Sequence, residues 1–313
     1  MYLKKKVVLI VMGVLILTTL FGCSSNKEAK SNEGIKTSSS QARVIKDLKG
    51  EQRLTDIPKK IAVLAPNFGD YLVALGVKPN SSVAIENDRF IKYLTEGFQG
   101  VKPLGTMSAP NLEATLEASP DLIIAFESQD KVYDQLQKIA PTLLLERFAD
   151  WRTNIVTFGQ ITGKEIEAKK VIADYDKKTS EWKTKLSQKL GEQTVGVLRV
   201  RDKELRLYMK SGMVGTRLYK ELGLNTPSLV VDSKDEWLPM SMEMLPKINP
   251  DHIFLMVDDE DKMKELKELP LWTNLNAVRS GHVYPIDTEL WITGNGPIGI
   301  NLVVDQVAEN LMR

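Results

Sequence analysis

Residues 164–190 read KEIEAKKVIADYDKKTSEWKTKLSQKL, a run of 27 residues with neither proline nor glycine. Apolar side chains recur at Ile166, Val171, Ile172, Tyr175, Trp182 and Leu186, an imperfect spacing that still suits one face of a helix. At 1.5 Å per residue such a helix extends about 40 Å, the width of a small domain or more. Gly159 and Gly163 bound it on one side and Gly191 on the other. A helix of that length, near the middle of the chain, reads either as a strut joining two lobes or as a surface helix of one.

The flanking segments share a grammar that favours two lobes. Asn111-Leu112-Glu113 leads to Pro120-Asp121 and the apolar run Leu122-Ile123-Ile124; Ser241-Met242-Glu243 leads to Pro250-Asp251 and His252-Ile253-Phe254. In both, the glutamate stands seven residues before the proline. Each reads as a short helix, a Pro-Asp turn and a buried strand. Each also follows a helix-like piece that stops in Leu-Gly, 70–75 closed by Gly76 and 217–222 closed by Gly223. Glycine just past a helix end is a stop signal. A long-range repeat with a strut between its copies suggests related α/β lobes rather than a solenoid. Strands are expected at 61–64, 122–126, 195–198, 253–256 and 282–285, alternating with helices. The division is an N-terminal α/β lobe at 43–163, a bridging helix at 164–190 and a C-terminal α/β lobe at 191–313.

The N-terminus carries an address. Lys4, Lys5 and Lys6 precede 16 apolar or small residues, 7–22, the layout of a secretory signal and short of the roughly 20 residues that span a bilayer. The run ends in Leu20-Phe21-Gly22-Cys23, with the only cysteine of 313 residues, so no disulfide can form. Residues 23–42 are rich in Ser, Lys, Asn and Glu and cannot bury enough surface to order themselves, which reads as a flexible tether. Leu-x-Gly-Cys resembles the lipobox of bacterial lipoproteins, and that resemblance implies lipidation of Cys23 after removal of 1–22.

Composition excludes several functions. The chain has 42 Lys and Arg against 41 Asp and Glu, and loss of the three leader lysines leaves it slightly acidic, so nothing points to nucleic acid. Two histidines and one cysteine cannot build a His- or Cys-rich metal site. There is no Gly-x-Ser-x-Gly, phosphate loop or dinucleotide glycine pattern, and no paired nucleophile and base. The chain is therefore not expected to be an enzyme.

Six pieces in order then carry a resemblance over nearly the whole body from Arg43. They are DYLVALGV from Asp70, NLEATLEASPDLII from Asn111, VGVLRVRDKELRLYMKSGMVGTRLYKELGL from Val195, MSMEMLPKINPDHIFL from Met240, LWTNLNAVRSGHVYPID from Leu271 and WITGNGPIGINLVVDQVAENL from Trp291. Together they resemble the bacterial siderophore-binding lipoproteins, the iron-complex branch of the class III solute-binding proteins of ABC importers. The resemblance implies two Rossmann-like lobes joined by a single long α-helix, a shallow ligand cleft between them and little hinge motion. It implies a monomeric receptor on the extracytoplasmic face of a cell membrane, delivering a ferric siderophore to permease subunits with their ATPase. The lysine-rich composition and lipobox suit a Gram-positive cell. No cofactor is implied, because the chelator already saturates the iron.

Ferric hydroxamate or citrate-type complexes are bulky and oxygen-rich, and call for arginine forks and aromatic walls. Arg199 and Arg201 lead the candidates: they end the strand 195–198, where the family places a cleft arginine, and i, i+2 side chains share a face. Salt bridging at a strand end is the plainer alternative. Trp237 and Trp291 are expected as loop aromatics of the cleft or as core; Tyr208 and Met213 lie near the second lobe's rim. Trp151 and Arg152 fall in the loop the family places before the bridging helix, and Arg89 in the 86–90 loop near the first lobe's rim. Trp182 and Trp272 read as packing. Glu113 and Glu243 take the positions where the family's two lobes meet permease arginines, or else only offset helix dipoles. A haem or corrinoid receptor on the same scaffold is the alternative, though His252 and His282, both in expected strands, do not look free to ligate.

Overall fold

The apolar runs lie at the centres of two sheets because helices cover both faces of each, so alternate residues have no polar side to meet. The computed structural model describes residues 42–313. The signal at 1–22, Cys23 and the tether as far as residue 41 lie outside the described residues.

A hairpin of β1 (Arg43–Asp47) and β2 (Gly50–Leu54) precedes the first lobe. That lobe is a parallel sheet of β3 (Ile61–Val63), β4 (Ser81–Ala84), β5 (Lys102–Thr106), β6 (Leu122–Phe126) and β7 (Thr142–Leu145), in the order β5-β4-β3-β6-β7. This is the doubly wound order, which reverses direction between β3 and β6. The second sheet, β10-β9-β8-β11-β12, contains β8 (Val195–Val200), β9 (Leu205–Tyr208), β10 (Trp237–Met240), β11 (His252–Val257) and β12 (Val283–Pro285). Here β8, β11 and β12 are parallel, while β9 and β10 are antiparallel additions.

The repeat is real at atomic detail. Ser119 and Asn249 both turn through positive φ, 47° and 25°, before Pro120 and Pro250. Asp121 then accepts from the backbone N–H groups of Lys59 and Lys60, which lead into β3, at 2.7 and 2.9 Å. Asp251 likewise accepts from Thr194 N, which leads into β8, at 2.8 Å. The Pro-Asp pairs thus tie each lobe's central strand to its neighbour, and β3-β6-β7 matches β8-β11-β12.

Glu165–Leu190 is one helix between the lobes. Ala168, Val171 and Ile172 pack on the first lobe's core, whereas Tyr175, Trp182, Leu186 and Leu190 belong to the second's. The handover from one core to the other explains the imperfect apolar spacing; Ile166, counted in that stripe, is 82% exposed.

A second bridge is polar. The chain closes with the helix Pro297–Met312, and Asp70, from the first lobe's helix Pro66–Ala74, caps its N-terminus. Asp70 Oδ1 accepts from Ile298 N at 2.8 Å, and Oδ2 from Gly299 N and the Tyr93 hydroxyl at 2.9 Å each. Tyr71 OH donates to Asn295 O at 3.1 Å. Gly296 is required by this approach, since a Cβ there would collide with the Asp70 carboxyl. Among the described residues no helix is long and apolar enough to cross a membrane.

Candidate functional site

Where the lobes meet, a cavity of about 260 Å³ opens. Phe148, Asp150 and Trp151, from the segment between β7 and the bridging helix, form one wall. Gly212, Met213, Arg217, Glu221, Glu236 and Asn295 form the other. Gly212 sits at φ +73° directly under the Glu236 side chain, so only glycine suits both the backbone and the space.

The sheet face beside this wall gathers most of the second-lobe candidates. Arg199 pairs in register with Arg206, and Tyr208 with Trp237, so Arg199, Arg201, Arg206, Tyr208 and Trp237 share one face. None of these five residues lines the cavity itself, although Tyr208 stands four residues before Gly212 and Trp237 next to Glu236 in the chain. The guanidinium of Arg199 grips Asp258 through Nε, at 3.1 and 2.9 Å from its oxygens, and through Nη2 at 2.7 Å. Arg201 Nε stands 3.3 Å from the same carboxylate, and its Nη1 3.4 Å from Glu204. Arg206 donates to Glu204 at 2.6 Å and stacks over Trp237, 4.3 Å from the ring centre. The face holds three arginines against two carboxylates. Arg199 and Arg201 share a face as their i, i+2 spacing expects, and both are salt-bridged there, as in the plainer alternative.

Other candidates fall elsewhere. Trp237 begins the edge strand β10 rather than lying in a loop. Trp291 is 0% exposed, packs on Phe254 and donates Nε1–H to Gln306 at 2.6 Å; it is core and not a cleft wall. Trp151 and Arg152 begin a helix, Trp151–Thr162, rather than lying in a loop, with Asp150 capping it through Arg152 N and Thr153 N. Trp151 lines the cavity, but the Arg152 guanidinium is engaged by Asp176 at 2.6 Å and Glu221 at 3.0 Å, locking the lobes to the bridging helix. Arg89 reaches across to Glu289 at 2.7 Å and to Glu86 at 3.2 Å, a latch between the lobes. Met213 lines the cavity, and Tyr208 is buried. Trp272 is buried packing, while Trp182 is half-buried under Lys185. Glu113 and Glu243 are both exposed, each two residues past the start of its repeat.

Besides Arg206 on that face, two more arginines escaped the sequence reading. Arg147 follows β7; its Nε donates to Asn67 Oδ1 at 3.0 Å and its plane lies over Phe126 and Phe148, at 5.6 and 4.7 Å. Burial lowers its pKa, with Glu127 opposing only at longer range. No carboxylate pairs with it among the described residues. Arg217, on the turn Thr216–Glu221, is 5% exposed, and burial lowers its pKa too. The Arg-Phe pair beside Trp151 was the available signal for the first. Nothing in the sequence marked the second, because it lay inside an expected helix.

The histidines meet far from this cavity. His252 and His282 stack at 4.4 Å, with His252 bonded to Tyr284 OH and Gln193, and they line a different cavity. Burial, then the neighbouring His282, lowers the His252 pKa to about 4, against an opposing pull from Asp251.

Known proteins share this fold. Residues 61–290 match the family model described as periplasmic binding protein. The chain belongs to that family. It is 32% identical to the probable siderophore-binding lipoprotein YfiY of Bacillus subtilis, over 97% of this chain and 98% of that one. It is 34% identical to the Fe(3+)-citrate-binding protein YfmC of the same organism, over 91% of each. The Staphylococcus aureus SirA structure complexed with staphyloferrin B superposes with a TM-score of 0.74 at 28% identity, over 86% of this chain and 98% of that one. The architecture is the two-lobed class III fold, and the family is one of substrate-binding proteins rather than enzymes.

Proposed function

We propose that this chain is the receptor of an ABC iron importer, capturing a ferric siderophore between its lobes and passing it to a permease. The observation that carries the reading is the arginine and aromatic face formed by Arg199, Arg201, Arg206, Tyr208 and Trp237, whose strands lead within a few residues to Gly212 and Glu236 of the interlobe cavity. Guanidinium forks held rigid by Asp258 and Glu204 can present spare N–H groups to chelate oxygens without rearranging. Met213 and Trp151 supply apolar wall, and Arg147 with Phe148 offers the first lobe's share. The names of YfiY and YfmC, and the staphyloferrin B bound to SirA, support a ferric siderophore or ferric citrate as cargo, within the hydroxamate or citrate-type class expected from the sequence. Nothing supports a haem axial ligand from histidine, since His252 and His282 are stacked on each other elsewhere.

The same reading gives the chain its place in the cell. Cys23 carries lipid, residues 24–42 tether the body to the outer face of the membrane, and the receptor works as a monomer. Glu113 and Glu243 stand exposed at equivalent points of the repeat and dock onto basic residues of the two permease subunits. No catalysis is involved.

The test is intrinsic tryptophan fluorescence of the purified protein, titrated with a ferric hydroxamate, a ferric catecholate, ferric citrate and haem. Saturable quenching by one ferric chelate at submicromolar concentration is expected. Binding of haem alone, or no response to any compound, overturns the assignment.

A further inference from the structure

The two copies of the repeat bury their side chains in step. From Asn111 to Ala118 and from Ser241 to Ile248 the order of buried and exposed positions is the same, residue for residue. Thr115 and Ala118 turn inward in the first lobe where Leu245 and Ile248 do in the second. The exposed positions one turn past the glutamates therefore correspond, Leu116 with Pro246 and Glu117 with Lys247. On the helix Leu112–Ala118, Glu113, Leu116 and Glu117 stand at i, i+3 and i+4 and share one face. The second copy, the turn Met242–Met244 continued by Leu245–Ile248, carries Glu243, Pro246 and Lys247 at the same spacing.

The frames match and the charges do not. The first lobe's face has two acids, with Leu116 60% exposed beside them. The second lobe's face sets one acid beside one base, with an exposed proline in place of the leucine. None of Glu113, Glu117, Glu243 and Lys247 is in a salt bridge with another described residue, so all four charges are free to meet a partner. Two identical glutamates at equivalent points would let the receptor settle on a permease in either of two orientations, each lobe on either half. The face of Arg199, Arg206 and Trp237 belongs to the second lobe alone, so those orientations would not present a cargo alike. Like charge set against like charge is an effective way to exclude one of them.

We propose that Leu116 and Glu117 on the first lobe, against Pro246 and Lys247 on the second, fix the orientation of docking, and that the permease this receptor serves has two unlike halves. The half that meets the first lobe presents a basic residue to Glu117 and an apolar surface to Leu116. The half that meets the second lobe presents an acidic residue to Lys247. In the reversed orientation Glu117 faces that acid and Lys247 faces that base, so both contacts repel. This rests on the docking role proposed above for Glu113 and Glu243, and adds which lobe goes to which half.

Iron uptake by cells whose full-length receptor is replaced by variants tests this. Radioactive iron is supplied as ferric citrate, a ferric trihydroxamate and a ferric catecholate, and each purified variant is titrated with the same chelates by tryptophan fluorescence. Glu117→Lys combined with Lys247→Glu leaves the net charge unchanged and should lower uptake at least tenfold. Glu117→Gln combined with Lys247→Gln removes the contacts without creating repulsion and should lower it only about threefold. Both pairs should bind the chelates within about twofold of wild type, because none of these side chains lines the interlobe cavity. Uptake unchanged by the exchange, equal losses in the exchanged and neutral pairs, or ligand binding lost in step with uptake overturns the orientation. Glu113→Lys combined with Glu243→Lys separates this from the reading beneath it. If that reversal abolishes uptake while the exchange is harmless, the orientation falls and docking stands; if both are harmless, both fall. A wild type that takes up iron from none of the three chelates overturns the receptor reading and the orientation with it.

Discussion

Asp70, in the first lobe, caps the helix that closes the second, its Oδ1 accepting from Ile298 N–H at 2.8 Å. Burial pushes the Asp70 carboxyl up to about 6, against the opposing pull of its backbone and Tyr93 donors and of Arg217. A folded-state pKa above the unfolded value means the native state binds the proton first. The resulting stability is fully present below about pH 4 and is lost as pH rises through 6. A carboxyl that titrates near 6 rather than at its ordinary 3.8 contributes on the order of 2–3 kcal/mol in this way. Asp70→Asn removes this component, and urea midpoints measured from pH 4 to 7 should no longer carry it. An unchanged pH profile would show that Asp70 titrates normally.

His252 acts with the opposite sign. Its folded pKa, about 4, lies below that of an unfolded histidine, so stability is lost as pH falls from about 6.5 toward 4. Over the same window the wild type therefore combines two opposing slopes. Asp70→Asn should expose a profile rising with pH, and His252→Gln a profile falling with pH. If both variants slope the same way, one of the two assignments is wrong.

The approach of Asp70 also fixes Gly296. Gly296 has an ordinary φ of −91°, so backbone strain does not explain it; only the space does. Gly296→Ala should cost about 1–3 kcal/mol, the range for overpacking a tight contact. In an Asp70→Gly background the same change should cost much less, because the colliding Cβ and carboxyl are both gone and neighbouring effects do not add. Thermal melts of the four proteins in this cycle measure the coupling. Additive losses would mean the glycine serves some other contact.

How much of this was legible in sequence follows from burial. Strands β3, β6, β8 and β11 announced themselves because both their faces are covered, which makes them continuous apolar runs. β4 escaped because Ser81 and Ser82 are buried polar residues at its start. β5 contains Pro103 and Gly105, and the edge strand β10 contains Pro239, each a signal against a strand. The bridging helix was readable from the absence of breakers, but not the point near Tyr175 where it changes cores. At the site, Arg199 and Arg201 could be placed on one face by alternation alone. Asp258, which holds them, lies 59 residues beyond Arg199 and carried no local mark. Trp291 could not be sorted from a cleft aromatic, because a tryptophan before a glycine turn looks the same buried or exposed until the partner helix is placed. Arg217 was invisible for the same reason: its burial, with Nη1 left without an acceptor among the described residues, shows only in three dimensions.

Arg199 should matter to ligand more than to folding. Its side chain is 16% exposed, and Asp258 retains Arg201 at 3.3 Å when it is removed. Arg199→Ala is expected to weaken the preferred ferric complex about tenfold or more, consistent with loss of a charge-assisted fork. Arg199→Lys should recover only part of this, since an ammonium cannot reproduce two parallel N–H bonds. Unchanged affinity in Arg199→Ala would remove that face from the binding surface.

Glu113 and Glu243 separate delivery from capture. Both are exposed, both begin a copy of the repeat, and neither lines the interlobe cavity. Reversing both to lysine places like charge against the basic permease contacts inferred for them, which lowers association far more than removing a favourable pair would. Iron uptake by cells carrying the doubly reversed receptor should fall at least tenfold, while the purified protein binds its ferric complex within twofold of wild type. Each single reversal should give an intermediate loss if the two lobes engage two separate subunits. Full uptake in the double variant would leave these glutamates with helix-dipole duties alone, whereas a parallel loss of ligand binding would place them in the fold of the cleft.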